Sequence, residues 1–291
     1  MQPEVNTSKI PAADPKTSRR TSVAEIAFKV VPFIVAVIFI FPLIWMLFVS
    51  IKPKGLGTSG VIPWFAPPYT LTNYIHVILD TAVFRWLINS LIVGLATTII
   101  TLIITSLAAF ALSKINFSYK KSIFIFFLAG LMVPGEATII PLYQIVKDLG
   151  LLDSYTGLIL PGIASPLGVI ILKSFFDGVP REVVESAKID GCSLFRIYYN
   201  IVLPLAKPAL ASIAIFTFIG SWNNFLWPYL SVFSESLYTL PIGIPTFNSN
   251  YSQTYILPMT VNAVASIPVI IAFFFFEKQI VKGISFTGIK G

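Results

Sequence analysis

Of 291 residues, 56% are hydrophobic and only 11% are Asp, Glu, Lys or Arg, far below the roughly 25% charged content of a soluble domain. That excludes a water-soluble globular protein and places the chain in a membrane. A single cysteine, Cys192, and a single histidine, His76, exclude an internal disulfide and a Cys/His zinc cluster, while the net charge of +7 reports the orientation of membrane spans rather than a nucleic-acid partner.

Residues 1–24 are rich in Pro, Ser, Thr and Lys and predict a disordered cytoplasmic tail. A bilayer-spanning helix needs roughly 17–25 apolar residues, and residues 30–51 supply the first such window. It is too long for a signal-peptide core and no small-residue cleavage site follows, so it predicts a retained span. Further windows follow at 86–113, 122–146, 154–172, 208–234 and 256–276. Outer segments 52–85 and 235–255 predict loops with aromatic residues and prolines, and 278–291 a C-terminal tail. The expectation is a six-span domain over 25–277 with a charged loop at 178–207.

Six spans place both termini on one side. The N-terminal tail, the 2–3 loop, the 4–5 loop and the C-terminal tail together hold sixteen of the twenty Lys and Arg residues. The other side holds four: Lys52, Lys54, Arg85 and Lys147. The positive-inside rule then predicts cytoplasmic termini. It also puts Cys192 and His76 on opposite sides, which excludes a Cys–His catalytic pair.

The third window is interrupted by Glu136, just after Pro134-Gly135. An ionised side chain near the bilayer centre costs at least ~2.5–3.5 kcal/mol on insertion scales, so it should face protein or water. Pro-Gly can break a span and leave backbone groups that line a cavity. Proton carriage would need relay partners, and the six windows hold no other carboxylate and no histidine. A structural or gating role for Pro134 and Glu136 asks less.

Residues 180–208 form a charged island with seven of the thirty-three charged residues. Pro180 suits a first helical turn. Val183, Val184 and Ala187 recur at helical spacing, and Gly191 suits the left-handed residue that ends a helix. Ser193 caps a second helix with Leu194, Ile197, Tyr198 and Ile201 on one stripe, closed by Leu203-Pro204. An amphipathic linker lying on lipid headgroups would carry a basic polar face. Here Glu182, Glu185 and Asp190 balance Arg181, Lys188 and Arg196, which better suits a protein surface.

Glu185-Ser186-Ala187, three residues, Gly191, nine residues, Ile201, one residue and Leu203-Pro204 resemble the EAA signature of membrane subunits of binding-protein-dependent ABC importers. Ser186 stands where that family usually has a second alanine. The stretches PPYTLTNY (67–74), NSLIVG (89–94), AAFALSKINFSYKK (108–121), MVPGEATIIPLY (132–143) and FIGSWNNFLWPYL (218–230) are similar to its carbohydrate branch. The end, KQIVKGISFTGIKG (278–291), is similar to the tail of the second permease subunit of the maltose-transporter type.

The resemblance implies a type I importer permease fold whose island is a coupling helix seated on a cytoplasmic ATPase subunit. Glu182, Glu185, Ser186, Ala187, Asp190 and Gly191 would belong to that contact, with Leu203-Pro204 leading back into the membrane. It further implies a second, homologous permease as heterodimer partner, two ATPase subunits that bind the ATP and Mg, and an extracytoplasmic sugar-binding protein. This chain would hold no cofactor and be no enzyme. The nearest approach to a phosphate loop, from Gly283 to Lys290, has its lysine one place late. The tail reads either as a flexible peptide, which the family inserts between ATPase subunits, or as a frayed terminus.

Sugars are read by stacking on aromatic rings and by hydrogen bonds to amides. Trp222, Asn223, Asn224 and Trp227 offer both late in the fifth span and are the candidate substrate path. An interfacial aromatic belt that includes Tyr229, with interhelical amide bonds, is the other reading. Phe247, Tyr251 and Tyr255 are candidate contacts for the binding protein or belt residues. The expectation is an all-α, six-span permease subunit for a carbohydrate, an oligosaccharide in particular, in the bacterial cell membrane. The runner-up is an ion-gradient-driven transporter that uses Glu136.

Overall fold

The computed structural model describes the backbone of residues 23–54, 62–250 and 255–287, and the side chains of 28–54, 64–246 and 255–277. The tail expected over 1–24 falls almost wholly outside the described residues, as do Tyr251 and the Phe247 side chain. Among the described residues every regular element is helical. The chain divides into two units, Met1–Trp45 and Met46–Gly291.

The first unit contains most of a helix, Val23–Ser50, with Pro32 and Pro42 inside it. Its residues are exposed on every face from 28 to 44, as befits an apolar helix surrounded by lipid.

The second unit is organised on a 32-residue helix, Val83–Lys114. Ser90, Gly94, Thr97, Thr101, Thr105 and Ala109 recur along its buried face. Lipid offers no hydrophobic drive between helices, so small and hydroxyl residues act by letting backbones approach. The fourth span answers with glycines. A Cβ on Gly162 would stand 3.0 Å from Thr97 Cγ2, and one on Gly168 3.0 Å from Thr105 Cγ2.

Spans three and four are both broken, the third beside the Pro134-Gly135 pair and the fourth where the sequence predicts an unbroken window. In span three, Lys120–Gly130 meets Gly135–Asp148 at 96°. Pro134, extended at ψ 133°, has no N–H to continue the ladder. In span four, Tyr155–Ile163 and Pro166–Asp177 meet at 47°. Ser165 Oγ accepts the Gly168 N–H at 3.1 Å and restarts the helix, with Pro166 at its first position.

Span five also departs from expectation. Its helix is Lys207–Trp222 and stops there, with Leu226–Ser231 a separate short helix. Asn223 and Asn224 account for the stop, since short amides compete for backbone partners, and Asn224 Oδ1 accepts the Trp227 N–H at 3.3 Å. The outer loops carry helices of their own, Thr72–Leu79 and Leu240–Asn250. The last helix, Ile256–Thr287, continues through the segment expected to be a flexible peptide from 278. Residues 288–291 lie outside the described residues.

Candidate docking site

The island folds as a helical hairpin. Pro180 is extended at ψ 139° and lies just before the first helix, Arg181–Ile189, rather than at its first position. That helix ends on Gly191 at φ +77°. The Gly191 N–H bonds the Lys188 carbonyl at 3.0 Å and the Cys192 N–H bonds the Ala187 carbonyl at 2.9 Å, the paired bonds of a Schellman stop. No atom lies within 4 Å of a Cβ built on Gly191, so backbone conformation, not space, requires glycine. Ser193 Oγ accepts the Arg196 N–H at 3.3 Å and caps the second helix.

The second helix is irregular for a definite reason. Pro204 lacks an N–H and its ring crowds the carbonyl four residues back. The backbone answers with a π-turn at Tyr198–Val202, where the Leu203 N–H reaches the Tyr198 carbonyl. A 79° bend at Ala206 then leads from Leu194–Leu205 into span five.

The hairpin is anchored, not laid loosely across a surface. Val184, Ala187, Ile197, Tyr198 and Val202 share one buried cluster with Phe110 of the long helix, Phe176 of span four and Ile213 of span five. Tyr198 OH and Ser106 Oγ are 2.7 Å apart, and the Phe110 and Tyr198 ring centroids 5.3 Å apart.

Its outer face carries both acids and apolar groups. Glu182, Glu185, Ser186 and Asp190 are exposed, and Ser186 Oγ donates back to the Val183 carbonyl at 3.2 Å. Val183 and Leu194, expected on the inward stripes, point outward at 40% and 43% exposure. Beside them Ile189 is 86%, Phe195 69% and Tyr199 61% exposed, with the Phe195 and Tyr199 rings stacked at 7°. These three were missed in the sequence. Their signal was an apolar residue off the helical stripe inside a charged segment.

The structure separates the four residues of the candidate substrate path. Trp222 is buried among Trp86, Leu240, Leu257 and Val261. Trp227 is buried too, and its Nε1 donates to the Gly157 carbonyl at 3.0 Å. Asn223 and Asn224 are exposed. The aromatic surface left open nearby is Phe225 stacked on Tyr229, centroids 5.2 Å apart. Glu136 sits exposed in the Gly135–Thr138 turn, at the corner of span three that follows Pro134.

Six apolar segments, three of them bent or broken, with a helical hairpin between the fourth and fifth, define a multi-span membrane subunit. The chain belongs to the family described as the inner membrane component of binding-protein-dependent transport systems, whose model matches residues 100–286. It is 35% identical to an arabinooligosaccharide transport system permease of Bacillus subtilis, over 94% of this chain and 99% of that one. A trehalose/maltose transport system permease of Thermococcus litoralis is 34% identical, over 89% and 94%. Among solved structures, a bacterial ABC transporter for import of the polysaccharide alginate matches with a TM-score of 0.77 at 22% identity. That match covers 91% of this chain and 99% of the other, and at this identity it speaks for the fold alone.

Proposed function

We propose that this chain is the membrane subunit of an importer that moves a carbohydrate, an oligosaccharide in particular, at the expense of ATP hydrolysed by partner subunits. The observation that carries the reading is the island: a rigid hairpin anchored on three spans, with exposed acids and an exposed Ile189, Phe195 and Tyr199 patch. Buried aromatic anchors dominate protein interfaces, and an anchored knob turns motion of a docked subunit into tilting of spans. The sixteen-to-four distribution of Lys and Arg supports cytoplasmic termini and a cytoplasmic island.

A second, homologous permease as heterodimer partner, two ATPase subunits and an extracytoplasmic sugar-binding protein complete the assembly. ATP and Mg belong to the ATPase subunits, and no step in this chain needs a cofactor. Support for carbohydrate comes from the named relatives, and support for a binding protein from a second alginate transporter structure that contains a periplasmic one. Asn223 and Asn224 remain the proposed polar groups of the path, while Pro134 and Glu136 shape the corner of span three.

The test is ATPase activity and sugar uptake by the co-purified complex in vesicles, native against Gly191→Asp. The space around Gly191 is open, so the new charge meets no atom of this chain. Gly191→Asn, which carries the same strain at φ +77° without the charge, is the control for folding. Loss of stimulated ATPase and of uptake, with the chain still in the membrane, is the expected result. Uptake that runs on a proton gradient without ATPase, and is abolished by Glu136→Gln, would sink the reading.

A further inference from the structure

The root of the island, where span four hands over to the hairpin, holds a cluster of charges that the docking face does not use. Lys114, the last residue of the long helix, donates its Nζ to the Val179 carbonyl at 2.7 Å. Asp177, the last residue of span four, accepts from Ser113 Oγ at 2.7 Å and from Lys173 Nζ at 2.6 Å. Lys120, which opens span three, donates to the Ser113 and Ile115 carbonyls, each at 3.1 Å. The Lys173 ammonium also lies 4.8 Å from the centre of the Phe124 ring of span three.

These contacts meet at a mechanically weak point. Span four's helix ends at Asp177, and Gly178, Val179 and Pro180 precede the hairpin. Pro180 has no N–H to carry the helix across, so the ladder cannot transmit force through this strip. Lys114 spans the gap from the side by holding the Val179 carbonyl, while Ser113 and Asp177 tie the ends of spans two and four together.

We propose that Lys114, Ser113 and Asp177 form a clasp that makes the island and the neighbouring ends of spans two and four move as one body. They are positioning residues of the import cycle. The inference rests on the proposed function, because a clasp matters to transport only if the island is pushed. Without it, the Gly178–Pro180 strip yields and ATPase turnover is no longer converted into span movement.

The experiment uses the full importer in nanodiscs and proteoliposomes, with Lys114→Met, which keeps the apolar stem and removes the donor. Two quantities are read: ATP hydrolysed per sugar imported, and hydrogen exchange of the Gly178 and Val179 amides, which bond the Ser174 and Phe176 carbonyls. The expected result is a ratio raised at least several-fold, faster exchange at those amides, and recovery of both with Lys114→Arg. Ser113→Ala, which removes one bond to Asp177, gives a smaller change in the same direction. A merely structural lysine would lower assembly, ATPase and uptake together and leave the ratio unchanged, which overturns the proposal. If the native complex shows no ATP-driven uptake, the proposed function fails instead. The exchange then decides the clasp by itself, and unchanged exchange in Lys114→Met overturns it.

Discussion

The two ends of the Val83–Lys114 helix are fastened by opposite chemistry. At the far end the fastening is neutral and buried. Asn89 Nδ2 donates to the Ser236 and Tyr238 carbonyls at 2.9 and 2.8 Å, and its Oδ1 accepts the Tyr155 hydroxyl at 2.6 Å. Ser90 Oγ accepts the Leu240 N–H at 2.8 Å, and Trp86 fills the place a side chain on Gly243 would take. At the island end the buried Tyr198–Ser106 pair is joined by lysines and a carboxylate near the surface. A buried neutral hub such as the Asn89 amide, bonded on both its nitrogen and its oxygen, holds one arrangement and resists salt. Partly exposed charges hold less firmly and are screened. The far end is held by buried neutral bonds, whereas the end that carries the hairpin adds partly exposed, salt-sensitive ties to its own buried cluster.

The largest effect should come from the close approach of Gly243 to Trp86. A Cβ on Gly243 would lie 2.2 Å from Trp86 Cε3, so Gly243→Ala should destabilise by about 3 kcal/mol through overpacking, read as a fall in thermal stability in detergent. Next, Asn89→Ala strands two carbonyls and a hydroxyl and should cost ~2–3 kcal/mol, with exchange rising around residues 236–240. At the island end, Tyr198→Phe removes only the hydroxyl that meets Ser106. Ser106 Oγ keeps the Leu102 carbonyl at 2.6 Å, so the loss should be about 1 kcal/mol. If Tyr198→Phe costs as much as Asn89→Ala, the contrast between the two ends collapses.

The smallest effect is a pH dependence in the far-end loops. Asp153 accepts a bond from Ser234 Oγ and the backbone N–H groups of Ser234 and Phe233, which hold its carboxyl below the usual range. Because the folded state prefers the carboxylate, its stabilisation is present above the unfolded value, about 3.9. It is lost as pH falls through the lower, folded value. Amide exchange at 233 and 234 should rise in acid, and Asp153→Asn should flatten that rise.

What could be read from the sequence follows how local each cause is. Gly191, Ser193 and the inward Val184, Ala187 and Ile197 were legible because caps and stripes are set by neighbours three or four residues away. The break in span three was foreshadowed by Pro134-Gly135, but its 96° angle was not, since packing sets angles. Trp222 and Trp227 looked available beside Asn223 and Asn224. Their burial depends on Trp86, Leu257 and Gly157, which only the fold brings near. Val183 and Leu194 carry helical spacing and still face outward, because two short helices meeting at a turn do not share one face.

The π-turn at Tyr198–Val202 gives the hairpin a dimension that substitutions do not probe, namely its length in residues. A turn closed five residues back holds one residue more than an α-turn, and each residue in a helix advances the side-chain direction by a fixed fraction of a 3.6-residue turn. Removing one residue between 198 and 202 would let the helix close regularly with its flanks near their present phase. Adding one that no π-turn absorbs would instead swing Phe195 and Ile197 about a quarter-turn relative to span five. The nine-residue interval between Gly191 and Ile201 is therefore a gauge. It sets the angle at which the hairpin is offered to whatever docks on it, and a permease spliced from two relatives would keep its aim only if that interval were carried over intact.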